Sequence, residues 1–374
     1  IEGYVDPADE LIWEGPFGDH TGYYSLPDWY PRFHVTAITH RKNAVYPATI
    51  VGIPPQEDAW LGKATERIFL APIKMTMVPE IMDMDMPVEG VFHNLVITKI
   101  HKEYAGQGQK VMNAMWGAGQ MMFNKILVLA DQHTRIQAYL ELAQTVFRNL
   151  NPAEDVAFAT GPMDVLDHSC SKLGFGGKMS IDGTYKQPEE TDDAYKPRTI
   201  YSDWSKAALT LKMEYPEIHS INYSLLGKEI PVLIIAIKKE RPGHFRSLHQ
   251  TLAARTEMGG IKMVLYVEHT VDPMDLSTAL WRFCNNLDPK RDAELVRIAL
   301  EGGLYYDACL GLDGTRKTKE LDGFQRDWPN IIVANEETIR SVDAKWESLG
   351  IGPFIPSPSL KFKGQMYGEE AIVS

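Results

Sequence analysis

Hydrophobic and polar positions change rhythm along this chain. Phe33, Val35 and Ala37 alternate with His34 and Thr36, the period-two signature of a strand with one buried face. Val45 to Val51 gives another candidate strand, and residues 1–52 read as β-rich. Pro54-Pro55 breaks that pattern. Beyond it Trp60, Leu61, Ala64, Ile68 and Phe69 share one face at helical spacing, which predicts a helix over 57–72. The Met- and Pro-rich residues 73–90 read as a connector whose methionines fill gaps in a core. A strand over 94–100 then leads through Gly106 to a helix near 108–122, the apolar strand "KILVLAD" and a helix near 137–150. Continuous apolar strands alternating with helices imply parallel strands buried on both faces.

The pattern then repeats. "NLVITKIHKE" (94–103) lies on "PVLIIAIKKE" (231–240), and the same offset carries Gly106 onto Gly243, Lys125 onto Lys262 and Asp131 onto Glu268 without a gap. It also carries Asn149, Leu150, Pro152 and Asp155 onto Asn286, Leu287, Pro289 and Asp292. "DGTYK" (182–186) recurs as "DGTRK" (313–317) at a shorter offset. Sparse identities in a constant order of elements predict an internal duplication. In the second copy Phe245, Leu248 and Leu252 have helical spacing, and "KMVLYVE" is the second strand. The chain closes with a helix capped by Asn335, with Ile339, Val342 and Trp346 on one face. The last two dozen residues carry no strong pattern and read as a tail able to wrap a neighbouring subunit.

Composition narrows the function classes. The 374 residues allow two or three domains with proper cores. A net charge of -12 argues against nucleic acid or an anionic membrane as the main partner. No apolar run approaches the length of a transmembrane helix. Cys170, Cys284 and Cys309 are far apart and fit reduced thiols of a cytoplasmic protein. A first stretch "IEGYVDP", which reads as the end of a strand running into a turn, predicts that an N-terminal part is lacking.

Most candidate motifs reduce to structure. "LGFGGKMS" (173–180) fails the phosphate-loop pattern, because Lys172 stands where a glycine is needed. "DHSCS" (167–171) sets Asp, His, Ser and Cys side by side, which favours a structural loop over a nucleophilic site. His101, His133 and His269 form no metal-ligand spacing. "WEGPFGDHTGYY" (13–24) is different. Glu14 and Asp19 flank a Gly-Pro-Phe-Gly spacer among Trp13, Phe17, Tyr23 and Tyr24. Aromatic flanks would desolvate a carboxylate and raise its pKa toward the range useful for proton transfer. His20 either orients Asp19 or faces solvent. A glycosidase-like acid pair is an alternative that the spacing alone leaves open.

"EGPFGDHTGYYS" followed by "FHVTAITHRKNAVYPATIVGIPP" strongly resembles the UbiD family of reversible decarboxylases. "VLADQ…VFRNLNPAED" and the terminal "GLDGTRK…WP…AKWESLGI" extend the resemblance over most of the chain. The fold it implies is α/β with a β-barrel portion. Residues 1–56 would be the C-terminal part of a split β-barrel flavin-binding domain, and 57–90 a linker helix and connector. Two tandem α/β units with mostly parallel sheets would follow at 91–200 and 201–330, then a C-terminal helix and tail at 331–374.

The implied activity is non-oxidative decarboxylation of an aromatic or α,β-unsaturated acid with prenylated FMN, including a 4-hydroxybenzoate-type step of quinone biosynthesis. By motif position Glu14 matches the acid that exchanges the proton and Asp19 the outer acid of a Glu–Arg–acid network. The network's arginine, the residues for a divalent metal such as Mn, and most flavin contacts would lie in sequence preceding this chain. Pro16, Phe17, His20, Pro54 and Trp60 are candidate cofactor or substrate contacts. The resemblance also implies a prenyl-flavin synthase as cofactor supplier and a homo-oligomer, dimer to hexamer. Location would be cytoplasmic, peripheral to the membrane for a prenylated substrate. The competing reading is a non-catalytic oligomerisation piece.

Overall fold

The computed structural model describes residues 1–373. It divides into two compact units, one formed by 1–58 with 327–374 and the other by 59–326.

The first unit is built from short antiparallel ladders. Strand β1 (Glu2–Val5) pairs with β4 (Phe33–Ala37), and β2 (Ile12–Glu14) pairs with β3 (Asp28–Tyr30). Trp328–Pro329 pairs with Ile372–Val373, so the chain end folds back on its own unit rather than standing free as a tail. The closing helix Glu336–Leu349 has the predicted cap, with the Asn335 side chain accepting from the Thr338 amide. Ile339, Val342 and Trp346 are its half-buried positions.

Two expectations for this unit are corrected. Residues 45–51 form no strand, and Val45 and Tyr46 are 78% and 89% exposed. Extended sequence becomes a strand only beside a partner ladder, and no described residue supplies one. The alternation of 33–37 is present, but Phe33 and Val35 are 49% and 53% exposed, not buried. Among the described residues no sheet closes into a barrel.

The second unit shows the repeat as architecture. The first half runs α1 (Asp58–Thr76), β5 (Ile81–Asp85), β6 (Leu95–Ile100), α2 (Gln107–Trp116), β7 (Ile126–Asp131), α3 (Tyr139–Asn149), β8 (Val156–Pro162) and β9 (Phe175–Asp182). The second half runs α4 (Trp204–Glu214), β10 (Ile218–Asn222), β11 (Val232–Ile237), α5 (His244–Ala253), β12 (Met263–Glu268), α6 (Leu276–Asn286), β13 (Ala293–Leu300) and β14 (Tyr305–Asp313). The sheets have matching orders, β5-β6-β7-β9-β8 and β10-β11-β12-β14-β13. Each is parallel only in its middle three strands and antiparallel at both edges. The expectation of mostly parallel sheets fails for a topological reason. A parallel pair needs a crossover helix, and the β5–β6 and β8–β9 connections contain none.

The segment read as a connector therefore carries an edge strand, β5. The face of α1 is also not the predicted one. Trp60, Leu61 and Ile68 are 80%, 54% and 68% exposed, while Gly62, Glu66 and Ile73 are buried. Glu66 pairs with Lys63 at 2.8 Å and Arg67 at 2.5 Å and accepts the Met86 amide at 2.6 Å. Apolar periodicity cannot see a face buried through ion pairing.

The two halves share one core. α3 (Leu142, Val146) and α6 (Ala279, Phe283) lie between the sheets, packed with Ile97, Ile126, Met263 and Leu310. α1 and α2 cover the outer face of the first sheet, and α4 and α5 that of the second. Two equivalent lysines tie the halves reciprocally. Lys125 Nζ donates to the Cys284 carbonyl at 2.9 Å, at the end of α6. Lys262 Nζ donates to the Phe147 and Leu150 carbonyls at 2.6 and 2.7 Å, at the end of α3. Each ammonium thus meets the negative end of the other half's helix.

Candidate functional site

The acidic loop is held by a short ladder and by the far end of the sequence. β2 ends at Glu14, which pairs with Asp28, and the preceding pair Trp13–Trp29 meets edge to face at 5.2 Å. Gly15 then turns the chain with φ +98°, a region open to glycine without strain. Phe17 and Ser25 close the loop, the Phe17 amide donating to Ser25 Oγ at 3.0 Å and the Ser25 amide to the Phe17 carbonyl at 2.7 Å. Inside it, the Asp19 amide donates to the Tyr23 carbonyl and the Gly22 amide to the Asp19 carbonyl. Outside it, the Tyr24 amide donates to the Asn330 carbonyl and the Ile332 amide to the Gly22 carbonyl. Asn330 is itself buried, its amide group donating to the carbonyls of Tyr367, Gly368 and Glu370.

Within this frame Asp19 and His20 form a defined pair. Asp19 Oδ1 accepts the His20 amide at 2.6 Å and lies 2.7 Å from His20 Nδ1, with both side chains about a quarter exposed (29% and 21%). The open alternative for His20 is thereby decided: it contacts Asp19. Glu14 is exposed, and so are Pro16 and Phe17. The aromatic flanks do not desolvate Glu14 here, since Trp13 and Phe17 are 56% and 52% exposed and only Tyr23 is buried. A two-stranded ladder has neighbours on too few sides to bury its end. Pro54 is half-buried in the segment before α1, outside the loop's hydrogen bonds. Trp60 belongs to the other compact unit and points to solvent at 80% exposure. The structure therefore gathers Glu14, Pro16, Phe17, Asp19 and His20 on one loop, and Pro54 and Trp60 lie off it.

Other chemistry-bearing residues prove structural. Asp167 is buried against Lys125 at 2.8 Å, and Ser169 Oγ donates to Asp167 at 2.6 Å. His168 Nε2 meets Asn286 Oδ1 at 3.1 Å, and burial lowers its pKa to about 3. Burial also drives the Cys170 thiol far above its ordinary value. "DHSCS" is thus a buried joint between the two halves. Among the described residues no group of His, Cys, Asp and Glu could hold a metal ion, and no helix is long and apolar enough to cross a membrane.

Sequence reasoning missed two cavities of about 420 and 580 Å³, both in the first α/β half and neither lined by Glu14 or Asp19. The larger lies over Gly108, Met112, Leu129 and Ser180, between α2 and the sheet. A signal existed: the second copy carries Phe245, His249, Tyr266 and Gly311 at those positions.

Sequence comparison assigns the chain. Residues 1–54 match the profile of the 3-octaprenyl-4-hydroxybenzoate carboxy-lyase Rift-related domain. Residues 59–183 and 203–300 match that of the 3-octaprenyl-4-hydroxybenzoate carboxy-lyase C-terminal domain. The chain belongs to the UbiD family. The two C-terminal-domain matches fall on the two halves of the repeat.

Among UbiD relatives, an uncharacterized protein of Archaeoglobus fulgidus is 50% identical over 204 residues, 54% of this chain and 42% of its own. One of Helicobacter pylori strain J99 is 33% identical over 352 residues, 92% of this chain and 52% of its own. The chain spans about half the length, or less, of the curated relatives it matches. Similar solved structures include the closed form of vanillic acid decarboxylase from Sedimentibacter hydroxybenzoicus. It is 24% identical, with 57% of this chain and 44% of that one covered and a TM-score of 0.47. The UbiD-class enzyme HmfF from Pelotomaculum thermopropionicum, in complex with FMN, is 25% identical with 57% and 46% covered and a TM-score of 0.42. An evolved dimeric form of HmfF was solved with prFMN.

Proposed function

We propose that the protein is a reversible decarboxylase of an aromatic or α,β-unsaturated carboxylic acid that works with prenylated FMN. The observation that carries this reading is the Glu14–Asp19 loop of a UbiD-family chain, fixed at both ends, with its outer acid hydrogen-bonded to His20. Exposed Trp13, Phe17 and Trp29 beside Glu14 suit one wall of a flavin pocket. The loop offers no lysine or arginine for a phosphate, and the described residues offer no metal cluster. We assign those contacts, with the network's arginine, to sequence that the longer relatives carry. The remainder of the split barrel belongs to the same proposal.

Bound there, the flavin supplies the electron sink that a decarboxylating carbon needs. The chain's own part is the proton. Glu14, at the tip of β2, is the group we assign to protonate the carbon that loses CO2, or to deprotonate it in the reverse direction. Asp19 is the acid we assign to relay that proton, its carboxylate oriented by the His20 amide and ring. Such a donor works near neutral pH only once water is excluded from around it, which raises a carboxyl's pKa. The exposed Glu14 of this chain therefore needs covering before it can act.

A step on a prenylated 4-hydroxybenzoate, supply by a prenyl-flavin synthase, a cytoplasmic location and a homo-oligomer are further parts of the proposal. The exposed faces of β1 and β4 favour a second reading, in which this chain alone is an assembly piece without turnover. The experiment is Glu14→Gln in the full-length protein produced with a prenyl-flavin synthase. Decarboxylation and substrate-carbon H/D exchange are expected to vanish while the flavin's absorbance persists. Unchanged exchange in that variant would remove Glu14 from the reaction.

A further inference from the structure

Helix α1 is apolar on two sides, and its own fold uses one of them. On the inner side Phe69, Leu70 and Ile73 pack into the core over the first sheet, and Glu66 accepts the Met86 amide. The outer side carries Leu61, Ala64, Ile68, Ala71 and Met75, all exposed, with Met75 at 83%. A surface helix ordinarily turns charge toward water. No charged residue falls on this line. The five positions are spaced alternately by three and four residues, the seam of a two-stranded coiled coil kept for two heptads. It runs about 21 Å along the helix.

Large and small residues alternate along the seam. Leu61, Ile68 and Met75 hold one set of positions, Ala64 and Ala71 the other. A parallel pair of such helices would set alanine against alanine and leave gaps between them. An antiparallel pair sets one kind of position against the other. Leu61 then meets Ala71 of the second copy, and Ile68 meets its Ala64. Each large side chain fills the space over a small one, which lets the two helices approach closely.

The charges agree with that direction. On the flanks, Lys63 is committed to Glu66 at 2.8 Å and Asp85 at 2.5 Å. Arg67 is committed to Glu66 at 2.5 Å and Asp83 at 2.7 Å. The helix ends differ. Among the described residues neither Asp58, in the first turn, nor Lys74, in the last, has an ion-pair partner. Antiparallel pairing brings the last turn of one helix level with the first turn of the other. Lys74 then comes near Asp58 and the indole of Trp60 of the second copy, and the helix dipoles oppose.

We propose that the outer face of α1 is a homodimer interface, in which two copies of this chain pair their α1 helices antiparallel about a two-fold axis between Ala64 and Ile68. One self-complementary patch is all that such an axis requires. The dimer gives the homo-oligomer of the proposed function its interface but does not depend on the reaction: sedimentation reads the face, and Glu14→Gln the chemistry.

The test is sedimentation velocity of the chain over a range of concentrations, where a dimer is expected. Ile68→Glu changes an outward side chain and leaves the fold intact. It is expected to raise the dissociation constant by roughly a hundredfold, because a two-fold axis places the charge twice. Met213→Glu, at an exposed position of α4, is expected to leave the dimer unchanged. The direction is read by oxidising a mixture of chains carrying Ala64→Cys and chains carrying Ile68→Cys. Antiparallel pairing yields mainly the mixed disulfide, since facing seam positions lie within disulfide reach, whereas parallel pairing joins each variant to itself. Cys170, Cys284 and Cys309 are buried and do not compete. A monomeric chain would leave the face to another occupant and overturn the proposal. So would a dimer that Ile68→Glu does not weaken, an equal loss in Met213→Glu, or disulfides formed only within each variant.

Discussion

The first and second α/β halves share element order, sheet order and a reciprocal lysine, yet the first holds a cavity of about 580 Å³ between α2 and its sheet where the second packs bulky side chains. Over the sheet of the second half, Phe245 packs on Tyr266 at 5.2 Å edge to face. His249 Nδ1 meets Tyr266 Oη at 3.0 Å, and Gly311 admits the imidazole, since a Cβ there would lie 2.5 Å from its ring. In the first half Gly108, Leu129, Met112 and Ser180 hold those positions. The strand-end charges follow the same division. Asp313, Lys317 and Asp292 are almost fully buried, whereas their equivalents Asp182, Lys186 and Asp155 keep 11–18% exposure. Backbone duplication thus supplied the frame twice, and side-chain volume decided where it stays open.

The largest expected effect separates the two tying lysines. Lys125→Met strands the fully buried Asp167, at a cost of about 3–5 kcal/mol. Lys262→Met removes bonds only to carbonyls, which are left partly unsatisfied, for about 1–3 kcal/mol. Denaturant unfolding measures both, and equal losses would erase the distinction. Lys262 adds a pH signature, because burial lowers its pKa to about 8 from 10.5. Between those values the unfolded chain binds more protons than the folded one, so Lys262's contribution to stability rises with pH across that window. Stability of the unmodified chain relative to Lys262→Met should therefore increase there.

Phe245→Ala should cost about 3 kcal/mol or more by opening the second half's filled space. Gly108→Ala should cost about 1–3 kcal/mol, because a Cβ at Gly108 would lie 2.2 Å from Asp182 Oδ2. The smallest effect is His249→Met, which copies Met112 of the first half. Burial lowers the His249 pKa to about 4 from 6.5, so its share of stability is lost as pH falls through that window. The variant should show a shallower acid decline in melting temperature, and an unchanged decline would place the acid sensitivity elsewhere.

Much of this frame was legible in the sequence. The apolar runs at 94–100, 125–131 and 262–268 announced the central strands, and the ordered identities announced the repeat, because both are local patterns. The Asn335 cap was legible for the same reason. What escaped depended on partners distant in sequence. The antiparallel edges follow from how connections cross the sheet, the buried face of α1 from ion pairs to Glu66, and the missing strand at 45–51 from an absent ladder. The candidate loop followed the same rule. Residue types and spacing pointed to Glu14 and Asp19, but the exposure of Glu14 and the clamp by Asn330 are tertiary facts.

The central claim is that one backbone frame is used twice and that side-chain volume decides where it stays open. Phe245→Gly/His249→Met/Tyr266→Leu, which copies Gly108, Met112 and Leu129 of the first half, tests it most directly. The account predicts a folded chain of lowered melting temperature whose crystal structure shows a cavity between α5 and the second sheet. A folded variant whose second half stays filled with its sheet unmoved would contradict it.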